Sequence, residues 1–310
     1  MHQKKIFIAS TGKDVGKTTL SLGLIEFLKK TLGSCGFMKP LGQEQLIEQG
    51  FSLDKDAVLI KHHFKLPETQ PLSPLSIPPG FTKDYLDGKI ALASLKKELL
   101  EANKHFSHYP AMVYEGTGHM GVGSIIDLSN AEVAHLLDAP LILVTKGGLG
   151  SSFDELILNI SLCEKLQIPI LGVVLNKVLA HKKEEISAYF VKALNKTKIP
   201  FLGSLPYDLL LAQPTFNDLE NALKAPLVHG VESRLKHIQA LRIIASNQAL
   251  PEFKPYDVVI ISSSREGLIH AILQHTESQP IPIGFILCGD APPSQWLLAE
   301  LKKTPHSVLI

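Results

Sequence analysis

Along the first two thirds of the chain, short unbroken apolar runs alternate with longer amphipathic stretches. The runs near 4–10, 35–39, 111–115, 140–145, 169–176 and 199–205 are rich in Val, Ile and Leu and do not alternate in polarity. That pattern predicts strands buried on both faces of a parallel sheet, with helices in the gaps. Residues 16–31 carry Leu20, Leu24, Phe27 and Leu28 at helical spacing, with Gly33 as C-cap. Ser129-Asn130-Ala131-Glu132 has capping-box spacing ahead of Val133, Leu136 and Leu137. The fold class expected is α/β, a mainly parallel sheet flanked by helices.

Two segments break the rhythm. Between Leu66 and Pro79, the prolines at 67, 71, 74, 78 and 79 exclude a helix or a central strand and predict a structured loop or a lid. Between Pro214 and Pro226 the pattern lapses, and a helix is expected over 231–244. A second series follows: strand 258–262, a helix from Glu266, strand 283–288, a helix from Ser294 and an apolar strand at 306–310. The chain is therefore divided into residues 1–226 and a small α/β domain at 227–310, which a further segment or a partner chain could complete. No internal repeat, charge block or low-complexity tract is present.

Composition narrows the function. With 310 residues, 45% of them apolar, there is room for two cores. A net charge of +1 offers no basic field, so neither a nucleic-acid nor an anionic-membrane partner is expected. No apolar run approaches the roughly 20 residues of a membrane helix. Cys35, Cys163 and Cys288 lack CxxC spacing and are expected as buried thiols of a cytoplasmic protein. Histidines such as His62, His63, His119 and His135 lack metal-ligand spacing, so solvated or core roles are expected.

The sharpest chemical signal is Thr11-Gly12-Lys13-Asp14-Val15-Gly16-Lys17-Thr18-Thr19, set between an apolar strand and an amphipathic helix as a Walker A loop requires. Backbone N–H groups from Gly12 to Thr18 and the helix N-terminus would cradle phosphate oxygens. Lys17 would reach the β and γ phosphates, Thr18 would offer a hydroxyl to Mg²⁺, and Thr19 would donate to the α phosphate. Thr11 stands where the usual pattern has its first glycine.

Three further strand ends would share that cleft. Lys39, in Gly36-Phe37-Met38-Lys39-Pro40, is either a cleft lysine or a solvated one. Glu115, in Tyr114-Glu115-Gly116-Thr117-Gly118, has the place of a Walker B acid that contacts Mg²⁺ directly or through water. Asn176 is either a reader of adenine or a turn former; with no acid after it, ATP is expected rather than GTP. Asp54 and Asp56 read equally as first-turn acids of a helix and, for Asp56, as a metal ligand. The loop His119–Ser124 is glycine-rich and could move over the γ phosphate.

Taken together, these residues resemble the dethiobiotin synthetase family, and more closely the dethiobiotin-synthetase-like domain at the N-terminus of long bacterial phosphate acetyltransferases. The shared order is the Thr11–Thr18 loop, Phe37-Met38-Lys39-Pro40, Asp56-Ala57, Ser73-Pro74, Val113-Tyr114-Glu115-Gly116, Gly147-Gly148-Leu149-Gly150, Asn176 and Leu202-Gly203-Ser204-Leu205-Pro206. The resemblance implies phosphate contact by Lys17, Mg²⁺ ligation by Thr18, Asp56 and Glu115, a catalytic Lys39, nucleotide contacts at Asn176 and Pro206, and a homodimer acting on a small molecule with ATP. Those synthetases carry Ser-Gly after Lys-Pro where this chain has Gln43-Glu44, as the acetyltransferase-linked domains do. A nucleotide-sensing module is therefore the alternative to an ATPase or ligase. Ser264–Ile269 and Leu287-Cys288-Gly289-Asp290 resemble a DRTGG domain. Partition-type ATPases fit less well, because their signature lysine falls where Gly12 stands.

Overall fold

The computed structural model of the chain describes residues 3–244, 250–277, 281–289 and 292–309. It comprises two compact units, Met1–Tyr207 and Asp208–Ile310.

The first unit is built on six parallel strands: β1 (Lys4–Ser10), β2 (Gly36–Met38), β3 (Ala111–His119), β4 (Leu141–Lys146), β5 (Ile170–Val178) and β6 (Phe201–Pro206). Their order across the sheet is β6-β5-β4-β1-β3-β2. Consecutive residues in the central strands, such as Phe7, Ile8 and Ala9 or Leu143 and Val144, are both buried, so each strand meets a packed layer on either face. The chain crosses from β3 on one side of β1 to β4 on the other. That reversal leaves a crevice at the carboxyl ends of β1, β3 and β4, where open α/β sheets place their ligands.

Helix α1 (Lys17–Leu32) follows β1 and is closed by Gly33, which adopts φ 85° and donates to Lys29 O at 2.9 Å. Its buried face is Lys17, Ser21, Ile25 and Leu28 rather than the expected apolar stripe, and Phe27 is 61% exposed. The helix is rotated so that two polar side chains point at the crevice. Helix α2 (Lys55–Phe64) is capped by Asp54, whose carboxylate accepts from Asp56 N.

The proline-rich segment is scaffold. Leu72 and Leu75 are buried, residues 75–76 pair with 41–42, and the carbonyl of Leu72 accepts from Lys39 N at 2.7 Å. Its contacts fix the backbone that carries Lys39.

The second unit has a five-stranded sheet in the order Leu227–His229, Ser307–Leu309, Gly284–Cys288, Val258–Ser262 and Leu241–Ile243, antiparallel only at the first pair. Helices Glu266–Glu277 and Gln295–Leu301 supply Ile269, Ile272 and Leu297 to a core with Val259, Phe285 and Val308. Helix Phe216–Leu223 also belongs here, because Phe216 packs with Val258, Ile286 and Leu309. The strand at 307–309 is paired along both edges.

Two expectations are corrected. Residues 231–244 form a short 3₁₀ turn (Val231–Ser233) and a strand (Leu241–Ile243), not a helix. The helical spacing of Val231, Leu235 and Ile238 finds no surface to cover, since Val231 and Leu235 are exposed, while Leu241–Ile243 gains ladder bonds along Val258–Ile260. Cys35 and Cys163 are buried, and burial pushes both thiols up to about 12, but Cys288 is exposed at a strand end. Asp290 of the DRTGG-like string and Ile310 lie outside the described residues. Among the described residues, no helix is long and apolar enough to cross a membrane.

Candidate nucleotide site

The loop from Thr11 to Gly16 turns back on itself between β1 and α1. Gly16 adopts φ 104° and Asp14 φ 56°, both left-handed, which is how successive N–H groups come to face one hollow. Thr11 is turned away from that hollow: its hydroxyl lies 3.2 Å from the Thr145 hydroxyl on β4. A side chain at the first-glycine position is tolerated for that reason. Val15 is buried beneath the loop, whereas Lys13 and Thr19 are exposed.

Lys17 opens α1 and folds back over the loop, its ammonium donating to Ser10 Oγ (3.0 Å), Gly118 O (3.2 Å) and Gly12 O (3.4 Å). The side chain is buried, and burial lowers the ammonium from the ordinary lysine range while Glu115 opposes the fall. Neutral partners hold Lys17, so its charge is available to an anion in the hollow.

Glu115 is fully buried on β3. Its Oε1 accepts from Thr18 Oγ1 at 2.9 Å and its Oε2 from Ser21 Oγ at 2.6 Å, so one face of α1 is fastened to β3 by a carboxylate. Burial raises the Glu115 carboxyl above the usual range, with Lys39 pulling the other way.

Lys39 is 4% exposed, which excludes the solvated alternative. Its Nζ meets Asp54 Oδ1 at 3.0 Å, Glu115 Oε1 at 3.5 Å and the Asp56 carboxylate. Burial acts to lower this ammonium, but Glu115, Asp54 and Asp56 together hold it above the ordinary lysine range. Asp54 therefore caps α2, as the first-turn reading expects, and at the same time pairs with Lys39.

Asn176, buried at the carboxyl end of β5, donates from Nδ2 to Val15 O at 2.8 Å and accepts from Lys177 N at 2.8 Å. It thus braces the phosphate loop from β5, two places away from β1 in the sheet. Pro206 closes β6 in register with Val178 and is exposed. The His119–Ser124 loop is pinned, because Asn130 Nδ2 donates to Thr117 O and His119 O, each at 2.7 Å. An open pocket is lined by Leu41, Gln43, Ile77, Thr117, Val122 and Ile126, and its Gln43 donates through the main chain to Asp54 of the Lys39 cluster.

The structure thus gathers Lys17, Thr18, Lys39, Asp56 and Glu115 into one cluster, with Asn176 on the loop's far flank. Ser10, Ser21 and the ionic role of Asp54 escape the sequence reading. Ser21 had a signal: it lies one helical turn after Lys17, on a face that is otherwise buried. Glu44 links two exposed lysines, Lys13 at 3.2 Å and Lys55.

A parallel sheet with a left-handed glycine loop, a buried lysine over it and an acid at the end of the adjacent strand defines a P-loop nucleotide-binding protein. More narrowly, the chain belongs to the AAA domain family AAA_26, which matches residues 4–215. It is similar to a phosphate acetyltransferase of Nitrosomonas europaea, 27% identical over 96% of this chain and 43% of that protein. It is also similar to the ATP-dependent dethiobiotin synthetase BioD of Nitrosopumilus maritimus, 27% identical over 71% of this chain and all of that protein. The chain spans less than half the length of the phosphate acetyltransferases it matches. Among solved structures, the MinD cell division protein of Aquifex aeolicus covers 67% of this chain and 84% of its own at 15% identity, with a TM-score of 0.42, too loose a likeness to bear on function.

Proposed function

We propose that the first unit binds ATP with Mg²⁺ and uses it in ligase- or phosphotransfer-type chemistry on a small molecule held beside Lys39. The observation that carries this reading is the buried Lys17 ammonium, held over the loop by neutral oxygens alone. Such an arrangement leaves a full positive charge for the β and γ phosphates, supported by the helix N-terminus. The donor set also fits the metal: Thr18 Oγ1 and the carboxylates of Asp56 and Glu115 are hard oxygen ligands. Among the described residues, no group of three or more His, Cys, Asp or Glu is arranged about a metal ion. Mg²⁺ does not need one, since it keeps waters and takes its remaining ligands from phosphate oxygens. When bound there, the ion would neutralise charge developing on the transferred phosphoryl group. Lys39, which shares Glu115 Oε1 with Thr18, would stabilise anionic charge on the small molecule. Asn176, with one amide hydrogen and one lone pair unused, is proposed to meet adenine, and Pro206 to flank it.

Gln43 and Glu44 favour a second reading. The synthetase-type Ser-Gly is replaced by a carboxamide that lines the pocket and a carboxylate that pairs with Lys13 on the phosphate loop. In this reading the first unit is a nucleotide sensor related to the N-terminal region of phosphate acetyltransferases, and the DRTGG-like second unit passes its state to a partner or a second copy. ATP turnover with and without bicarbonate and a panel of diamines and small carboxylates separates the two. A rate that rises with one of them supports the enzyme. A rate that stays basal, with Mg·ATP binding intact, selects the sensor.

A further inference from the structure

Three carboxylates converge on Lys39, and among the described residues Lys39 is their sole cationic partner within salt-bridge distance. They are not equivalent. Asp54 is anchored by main-chain donors: its Oδ2 accepts from Gln43 N at 2.9 Å and Glu44 N at 3.3 Å, and its Oδ1 from Asp56 N at 3.0 Å. Asp56, by contrast, is held through its pairing with Lys39, and Glu115 reaches Lys39 with the same Oε1 that accepts from Thr18. Three carboxylates thus share one directly paired ammonium in a buried setting, where uncompensated charge is costly. A carboxylate oxygen that accepts from an ammonium is a weaker ligand for a dication, because the two cations repel each other at this range.

We propose that Lys39 is a resident counter-cation that masks a divalent-cation site made by Asp56 and Glu115. The metal that arrives with nucleotide takes those two carboxylates, and Lys39 is left on Asp54. This rests on Asp56 and Glu115 being the metal ligands. It adds that the site is closed to free metal by the protein's own ammonium, so metal and nucleotide bind as a pair. Repulsion between an ammonium and a dication at this range disfavours both occupying the same oxygens. Asp54 keeps its place because three N–H groups hold it whichever cation is present.

The test is binding of Mn²⁺ alone, without nucleotide, followed by the loss of the electron paramagnetic resonance signal of the free aquo ion. Wild type should bind weakly, Lys39→Arg should match it, and Lys39→Met should bind at least about tenfold more tightly because the buried carboxylates have lost the ammonium paired directly with them. Should Lys39→Met be poorly folded, Mn²⁺ alone should raise its melting temperature and leave that of wild type unmoved. Equal or weaker Mn²⁺ binding by Lys39→Met, or a melting temperature that Mn²⁺ does not raise, overturns the proposal. Calorimetry of Mg·ATP on wild type separates the two claims. If wild type binds Mg·ATP while Lys39→Met gains no Mn²⁺ affinity, the masking idea alone fails.

Discussion

The carboxamide of Asn176 donates to the main-chain carbonyl of Val15 at 2.8 Å, joining two positions 161 residues apart in the chain. The phosphate loop is thereby braced from the strand two places away in the sheet. The bond needs a bare backbone at the next residue, for a Cβ on Gly16 would lie 1.9 Å from Asn176 Nδ2. Gly16→Ala should therefore cost more than the roughly 1–3 kcal/mol of a left-handed non-glycine residue. In urea unfolding, Asn176→Ala in the Gly16→Ala background should recover the steric part of that loss and leave the backbone part. A double variant no more stable than Gly16→Ala would contradict the contact.

Glu115 is one of three carboxylates around a single ammonium, so removing its charge relieves repulsion as well as attraction. Glu115→Gln should lower stability by no more than about 2 kcal/mol, less than the 3–5 kcal/mol typical when one partner of a simple buried pair is deleted. Its larger effect should be on metal linkage. Calorimetric affinity for ATP should become nearly the same with Mg²⁺ as with EDTA, whereas wild type should bind the Mg²⁺ complex more tightly.

The strands and the loop were legible because each is written in contiguous residues: unbroken apolar runs, and a glycine-containing turn set between a strand and a helix. Lys39 and Asp56 were ambiguous because pairing across 17 residues depends on the hairpin of Gln45–Glu48 with Phe51–Asp54 and on a proline-rich segment whose packing no local pattern encodes. The orientation of α1 misled for a related reason. Its buried face is partly polar, so apolar spacing pointed to Phe27 when Ser21 was the inward residue. At 231–244 the spacing suited a helix, but sheet edge and solvent were what the fold offered.

His306, 2% exposed in the second unit, accepts from Ile283 N at 3.2 Å through Nδ1, so the neutral ring carries its proton on Nε2, 3.1 Å from Thr276 Oγ1. Burial, with a smaller contribution from His229, lowers its pKa to about 4. The unfolded chain takes up a proton near pH 6.5 that the folded ring refuses, so this contribution is complete above 6.5 and lost as pH falls toward 4. The loss is on the order of 3 kcal/mol. Trp296, the only tryptophan, lies in the same unit and reports its unfolding. The urea midpoint read by its fluorescence should fall over that pH range in wild type and change less in His306→Gln.

The most direct measurement is a calorimetric titration of Mg·ATP into wild type and Lys17→Ala. The buried ammonium held by Ser10, Gly12 and Gly118 predicts saturable binding by wild type and none detectable in the variant. Equal affinity in the two proteins would contradict the assignment of this loop as the nucleotide site.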